Sequence, residues 1–184
     1  MNILQTYIDG LLIINPNVYV DNRGSFFESY NKSEFQKRGI LCNFVQDNQS
    51  LSFKGILRGL HIQKNFPQAK IVRVLRGKIW DVAVDLRNES PTYGQWFGIE
   101  LSSENKKQLL IPENFAHGFL TLSYEAEVLM KVTTHYHPED EIGFIWNDPY
   151  INIEWPIPAE MNIILADKDK QWKTFRETFF NTFI

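Results

Sequence analysis

Short runs in which apolar and polar residues alternate recur along the chain and are separated by turn-forming residues. A period of two is typical of β-strands, and the many β-branched residues in these runs favour the same structure. The predicted strands cover residues 10–14, 18–30 with a turn at 22–24, 70–87 with a turn near 76–77, 95–101, 107–113, 118–124, 127–136 and 151–156. Turn signals spaced roughly 8–12 residues apart are typical of a β-sandwich or barrel.

Helical signals are few. Asn31 followed by Glu34 resembles a capping box, and Gly39 suits a helix C-terminus, so these residues predict one short helix. Residues 167–180 are predicted to form a loop or a short helix. Because the chain contains no repeat, low-complexity linker or domain boundary, we predict a single all-β domain over residues 1–184. Its expected architecture is an antiparallel jelly-roll or barrel with a few short peripheral helices.

Composition limits the partners of this domain. The 184 residues carry a net charge of −3 with a pI near 5.8, so the chain as a whole does not attract nucleic acid or acidic membranes. An anionic ligand would need a local basic pocket instead. The single cysteine, Cys42, excludes an intrachain disulfide and fits a reducing cytoplasm. The N-terminus lacks the features of a signal peptide, and no apolar run reaches the ~20 residues of a membrane span, so we expect a cytoplasmic protein.

Three charged or titratable residues, Arg58, His61 and Lys70, lie close together in a segment with the pattern of a β-protein interior. Such groups are costly in a water-poor setting unless they are paired or used. Alternation puts Leu60 and Ile62 on one strand face and His61 on the other. His61 therefore points to solvent if Leu60 and Ile62 lie in the core, or into a cavity if the barrel has a polar interior.

Acid–base chemistry is one use for this cluster. An imidazole ordinarily has a pKa of about 6.5, which suits it to taking and returning a proton near neutrality. A carboxylate would be expected to orient His61, and Asp167 and Asp169 in the tail are both candidates. Among the aromatic residues, Phe26, Phe27 and Tyr136 could stack on a nucleobase.

Metal and nucleotide-cofactor chemistry receive less support. A zinc site would have to use His61, His117, His135 and His137, of which only His135 and His137 have the spacing of paired ligands. The chain also lacks the glycine-rich motifs of P-loop and dinucleotide-binding proteins. We therefore expect neither a metal nor a cofactor.

Several strings in the chain occur in an order that resembles a known family, the dTDP-4-dehydrorhamnose 3,5-epimerases, which have a cupin-like fold. The resemblance extends over about residues 10–172. It rests on VDNRGSFFESY, FVQDNQS, GILRGLHIQ, PQAKIVRVLRGKIWDVAVDLR, SPTYGQW, IPENFAHGFL, YHPEDEIGFIWNDP and INIEWP.

The resemblance implies a homodimeric isomerase of dTDP-rhamnose biosynthesis that needs no metal or cofactor. Its implied substrate is dTDP-4-dehydro-6-deoxy-D-glucose, which the family inverts at C5 and C3 to give dTDP-4-dehydro-L-rhamnose. The chemistry is plausible because the C4 ketone acidifies the hydrogens on both neighbouring carbons. A base removes one of them, an enolate forms, and a proton returns to the opposite face.

Family positions then imply roles for individual residues. His61 matches the base, Lys70 the cation beside the C4 oxygen, and Asp169 the aspartate paired with the base, although Asp167 is close enough to be confused with it. Tyr136 matches the aromatic residue that stacks on thymine, and Phe26 falls in the segment that reaches into the partner subunit's site. The other positions that match nucleotide-sugar-binding residues are Arg23, Glu28, Gln46, Asn48, Arg58, His117, Glu141 and Lys168.

One position departs from the family pattern: Met130 stands where the family has a tyrosine that acts as the acid. This favours an alternative in which the chain inverts C3 only and serves a different deoxysugar. A second alternative is a sugar-nucleotide-binding protein that has lost catalysis, although His61, Lys70 and Asp169 are all retained. A third, a metal-dependent cupin oxygenase, is disfavoured because the expected HxH…E ligand set is missing.

Overall fold

The computed structural model describes residues 1–180, so the last four residues of the predicted 1–184 domain lie outside the described part. Within it the chain forms thirteen strands and two short α-helices. The strands are β1 (Asn2–Gln5), β2 (Leu12–Asn15), β3 (Val18–Asp21), β4 (Gly24–Phe27), β5 (Gln46–Phe53), β6 (Leu57–Gln63), β7 (Lys70–Arg76), β8 (Lys78–Asp85), β9 (Trp96–Ser102), β10 (Gln108–Ile111), β11 (Phe115–Thr121), β12 (Glu125–Val132) and β13 (Glu141–Gly143).

Eleven of these strands form two antiparallel sheets. One sheet has the order β1-β2-β10-β7-β12-β5, and the other has the order β13-β6-β11-β8-β9. The remaining two strands, β3 and β4, form a separate hairpin. The predicted all-β, antiparallel class is confirmed.

The helices are short and lie outside the sheets. The first, α1 (Lys32–Lys37), begins where predicted, since the Asn31 side chain accepts a hydrogen bond from the Glu34 N–H at 3.2 Å. In the tail, residues Asp169–Gln171 form a 3₁₀ turn and α2 spans Phe175–Phe179. No helix within residues 1–180 is long and apolar enough to cross a membrane.

An apolar core fills much of the space between the two sheets. It draws on β7 and β12 from one sheet and on β8 and β11 from the other, with Val72, Val128, Ile79 and Phe115 among its members. Lys70 and Met130 lie on the same strand faces as Val72 and Val128 by alternation. The inner face is therefore apolar at one end and carries functional groups towards the other.

Both faces of the five-stranded sheet are buried, which resolves the ambiguity about His61. Leu60 and Ile62 pack on the outer face in a second apolar cluster with Phe144 and Phe175 from the C-terminal part of the chain. His61 consequently points inwards, between the sheets, where it lines a cavity.

Residues 151–156, predicted as a strand, do not form one. Ile151 is buried, and Ile153 and Trp155 pack against the outer cluster of the five-stranded sheet. The backbone N–H groups of Asn152 and Trp155 donate locally, to the carbonyls of Asp148 and Ile153. The alternation thus arises from an extended segment that packs on a sheet without joining its hydrogen-bond ladder. Conversely, β5 was not predicted, because its sequence QDNQSLSF is mostly polar along an edge strand.

Candidate active site

A cavity of about 570 Å³ opens between the two sheets. Ten of the fourteen residues singled out from the sequence line it: Asn48, Arg58, His61, Lys70, His117, Met130, Tyr136, Glu141, Lys168 and Asp169. They come from both sheets and from the tail, so the fold brings together residues that are far apart in sequence. The volume lies in the range typical of small-molecule sites.

The C-terminal tail, residues 164–180, reaches the cavity because it pairs with the start of β6. The Leu57 N–H donates to the Ile164 carbonyl at 3.0 Å, and the Ile164 N–H donates to the Gly55 carbonyl at 2.9 Å. A few residues later the 3₁₀ turn at Asp169 brings its carboxylate to His61, with 2.6 Å between Nε2 and Oδ1. Of the two candidate carboxylates it is therefore Asp169 that contacts His61, whereas Asp167 is exposed and pairs with Lys170.

The Asp169 carboxylate is buried but well supplied with donors. Burial acts to raise its pKa, yet the hydrogen bond and charge of His61, with further hydrogen bonds from the Trp172 indole and the Gly59 N–H, hold that pKa below its usual value. An ionised Asp169 can only accept, so His61 Nε2 carries the hydrogen of this bond when the ring is neutral. The lone pair of the neutral ring is therefore on Nδ1.

Nδ1 of His61 has a second carboxylate in reach. Glu141, at the start of β13, places Oε1 3.3 Å from this nitrogen. Its other oxygen, Oε2, accepts a hydrogen bond from Lys168 Nζ. Burial acts to lower the pKa of Lys168, but the bond to Glu141 and the charge of Glu141 outweigh it and raise that pKa. Tyr136, also beside Glu141, has a pKa raised chiefly by burial and further by the carboxylate.

Lys70 begins β7 and directs its ammonium into the cavity. It forms no hydrogen bond or ion pair with any side chain in residues 1–180. Burial lowers its pKa to about 8, against the opposing charges of Glu141 and Asp81. The residue is partly buried and lines the cavity. This arrangement suits an ammonium that awaits a negatively charged or strongly polarised oxygen.

A second histidine–carboxylate pair forms the floor of the cavity. His117 Nε2 lies 2.8 Å from Asp81 Oδ1, and both residues are buried. The other carboxylate oxygen, Oδ2, is buried without a partner among the described residues. Sequence reasoning did not single out Asp81. The available signal was an aspartate at an inward position of the apolar strand β8, between Ile79 and Ala83, where an unpaired charge would be costly.

Polar side chains on the neighbouring strands complete the wall. The Arg58 Nε donates to Ser52 Oγ at 2.9 Å, which leaves the rest of the guanidinium for other partners. Gln46 donates to Asn48 Oδ1 at 2.6 Å and accepts from the Tyr136 N–H, so it supports the wall without lining the cavity. Met130 is partly buried, packs against the apolar core and also lines the cavity.

Three residues singled out from the sequence, Arg23, Phe26 and Glu28, lie outside the lining of this cavity. Arg23 forms an exposed ion pair with Asp21 at the tip of the β3–β4 hairpin. Phe26 is 73 % exposed on the same hairpin. Glu28 follows β4 and accepts a hydrogen bond from Asn31 at 2.9 Å.

The remaining histidines lie near the cavity mouth. The His137 ring stacks on Phe66, with 4.2 Å between centroids, and the His135 carbonyl accepts from the Gln63 side chain. Within residues 1–180 there is no cluster of three or more His, Cys, Asp or Glu side chains placed to hold a metal ion.

These groups together can perform proton transfer at a carbon beside a carbonyl group. Such a reaction needs a base near the C–H bond and a cation near the oxygen that becomes negative in the enolate. His61 Nδ1 and Lys70 Nζ meet these needs within one cavity, and the cationic groups Arg58 and Lys168 near them favour an anionic ligand.

Comparison with known proteins agrees with this chemistry. The family model for dTDP-4-dehydrorhamnose 3,5-epimerase matches residues 5–177. The chain is 52 % identical to the dTDP-4-dehydrorhamnose 3,5-epimerase of Methanothermobacter thermautotrophicus over 95 % of this chain and 94 % of that protein.

Solved structures give the same result. A crystal structure of the dTDP-6-deoxy-D-glucose-3,5-epimerase of Legionella pneumophila in complex with dTDP-4-keto-L-rhamnose superposes with a TM-score of 0.90 at 48 % identity, covering 94 % of this chain and 92 % of that one. A 3′-monoepimerase from Streptomyces bikiniensis in complex with dTDP-quinovose shares the fold at a TM-score of 0.85 and 28 % identity, covering 92 % and 85 % of the two chains. The cupin-like fold is thereby confirmed, and the chain belongs to the dTDP-4-dehydrorhamnose 3,5-epimerase family.

Proposed function

We propose that this protein converts dTDP-4-dehydro-6-deoxy-D-glucose to dTDP-4-dehydro-L-rhamnose by inverting C5 and C3. The observation that carries the proposal is the joint presence of His61, Asp169 and Lys70 in one cavity. Family membership and 52 % identity to a 3,5-epimerase over nearly the whole chain support the same substrate.

His61 would act as the base. Its Nε2–H is held by Asp169, so Nδ1 can take the hydrogen of a sugar carbon next to the ketone. The electron pair of the broken C–H bond becomes part of an enolate whose oxygen faces Lys70. Asp169 stabilises the imidazolium that forms. Reprotonation from the opposite face then inverts the carbon.

The source of the returning proton distinguishes two functions. Met130 has no acidic hydrogen, since a thioether is at most a weak acceptor. In the proposed 3,5-epimerase, water in the cavity would supply the proton at both carbons. The C3-only alternative is favoured by this one residue, whereas the relatives with high identity over nearly the full length favour inversion at both carbons. A purely binding protein is not favoured, because it would not need the His61–Asp169 pair.

The nucleotide would lie towards the mouth of the cavity. Arg58 and Lys168 carry charges suited to a diphosphate, and Tyr136 offers an aromatic face to thymine. Asn48 and His117 would hold sugar hydroxyls.

A second subunit would supply further contacts. The β3–β4 hairpin exposes Tyr19, Val20 and Phe26, an apolar surface that a partner subunit could cover. We propose a homodimer in which Arg23, Phe26 and Glu28 serve the partner's site, as the family resemblance implies. A cytoplasmic location stays a prediction.

The proposed reaction should incorporate hydrogen from solvent into the product. In heavy water, conversion of dTDP-4-dehydro-6-deoxyglucose should place deuterium at both C3 and C5, because each inverted carbon receives its new hydrogen from solvent. The labelled positions can be read by NMR of the product. Label confined to C3 would contradict inversion at C5 and support the C3-only function, and Met130→Tyr should then add label at C5.

Replacing His61 with Ala should slow exchange at both carbons by ~10²–10⁴ while dTDP binding persists. Exchange retained in His61→Ala would reject this residue as the base.

The pH dependence of kcat/KM should report the state of Lys70. Its pKa of about 8 in the free protein means that the stabilising ammonium is present below this pH and is lost as the pH rises through it. We therefore expect kcat/KM to decline above about pH 8. Lys70→Arg should move this decline to higher pH, since a guanidinium stays charged. The matched control is Lys78→Arg, which changes a surface lysine paired with Glu100. An unchanged alkaline limb in Lys70→Arg would contradict the assignment.

The proposed dimer can be tested by sedimentation. A chain of 21.6 kDa should sediment at twice that mass. Changing the exposed Val20 and Phe26 together to Ser should shift the equilibrium towards monomer and reduce activity, whereas Tyr124→Ser, another exposed aromatic, should leave it dimeric. A monomeric native protein with full activity would contradict the dimer.

A further inference from the structure

His61 lies between two carboxylates that differ in their access to solvent. On the Nε2 side, the Asp169 side chain is 2 % exposed and accepts additional hydrogen bonds from the protein. On the Nδ1 side, the Glu141 side chain is 13 % exposed and is bonded to Lys168, whose side chain is 51 % exposed. Of the two carboxylates, Glu141 is the one bonded to a half-exposed side chain.

The proposed function, on which this inference rests, creates a need for such a connection. One base must serve two carbons in turn. After the first abstraction His61 is an imidazolium and can take no second proton. His61 must therefore lose that proton between the two inversions, while the sugar still fills the cavity.

Asp169 is poorly suited to receive that proton. Its lowered pKa reflects hydrogen bonds that favour the ionised form, and its side chain is only 2 % exposed. Its hydrogen bond is also made to Nε2, whereas the abstracted proton arrives on Nδ1. Lys70 and Lys168 are cations and accept nothing while charged.

We propose that Glu141 is the proton exit of this active site, which accepts the abstracted proton from His61 and releases it to solvent at the cavity mouth. The N–H bond formed on Nδ1 breaks, an O–H bond forms on Glu141 Oε1, and the imidazole returns to its neutral state with hydrogen on Nε2. The 3.3 Å between Nδ1 and Oε1 needs only a small closure for transfer.

Lys168 sets the direction of this transfer. Its ammonium is bonded to Glu141 Oε2, and its side chain is 51 % exposed. A proton on Glu141 therefore has water within reach, beside the half-exposed Lys168. Glu141 thus carries the proton onward and does not store it.

The test compares the two inversions in one reaction. In Glu141→Gln the amide cannot take up the proton, so we expect the ratio of the second inversion rate to the first to fall by roughly 10- to 100-fold from its native value, at or below the usual range for acid–base groups. Product inverted at a single carbon should then accumulate, as read by NMR. Glu139→Gln is the matched control, because Glu139 is a neighbouring, exposed carboxylate that pairs with His137.

Chemical rescue separates proton transfer from positioning. In Glu141→Ala, added formate should restore the second inversion, whereas the same concentration of chloride should not, because only formate can accept a proton in the vacated space. Rescue also shows that the variant is folded. The affinity for dTDP, measured in both variants, separates a loss of binding from a loss of proton transfer.

Two results would overturn the proton exit. One is a native ratio of singly to doubly inverted product in Glu141→Gln. The other is an equal loss of both inversions with weakened dTDP binding and no rescue by formate, which would make Glu141 a binding residue. Failure of the proposed function is seen separately, in the native enzyme, as product inverted at one carbon only.

Discussion

The contact between His61 and Asp169 is the interaction on which the active site depends. It joins residues 108 positions apart and lies where the tail meets β6. Without it the imidazole would lack a fixed orientation. Because the carboxylate is ionised and buried, it assigns the hydrogen to Nε2 and leaves Nδ1 as the basic nitrogen.

The rest of the cavity is arranged around this pair by charge. Lys70 lacks a partner among the described residues, and its ammonium faces the cavity, so an enolate oxygen would provide the missing countercharge. The buried His117–Asp81 pair contributes His117 to the cavity lining, and the Glu141–Lys168 pair contributes both of its members. Desolvation makes each of these charges expensive, which is why each is paired or directed at the ligand's position.

The fold class was predictable because alternation along β7, β8 and β12 is strong. Alternation failed at residues 151–156, where an extended segment packs on a sheet without pairing. It was ambiguous at His61 because the five-stranded sheet buries both faces, and a sequence does not reveal which face borders a cavity.

Long-range pairing set the other limit on prediction. Asp167 and Asp169 are equivalent in sequence, and only the 3₁₀ turn in the tail distinguishes them. Asp81 could not be predicted as a site residue, because its partner His117 lies on a neighbouring strand and is distant in sequence. The hairpin residues Arg23 and Phe26 were assigned through the family resemblance, and their place outside this chain's own cavity required the structure.

The most direct measurement of the central claim is the tautomer of His61 in the free protein. Long-range ¹⁵N–¹H correlation spectra of ring-labelled protein, assigned with His61→Gln, report which ring nitrogen carries hydrogen. At pH 8, where an ordinary histidine is largely neutral, we expect a single tautomer with hydrogen on Nε2 and a bare Nδ1. Hydrogen on Nδ1, or rapid averaging between the two tautomers, would contradict the orientation of His61 by Asp169 and with it the assignment of Nδ1 as the base.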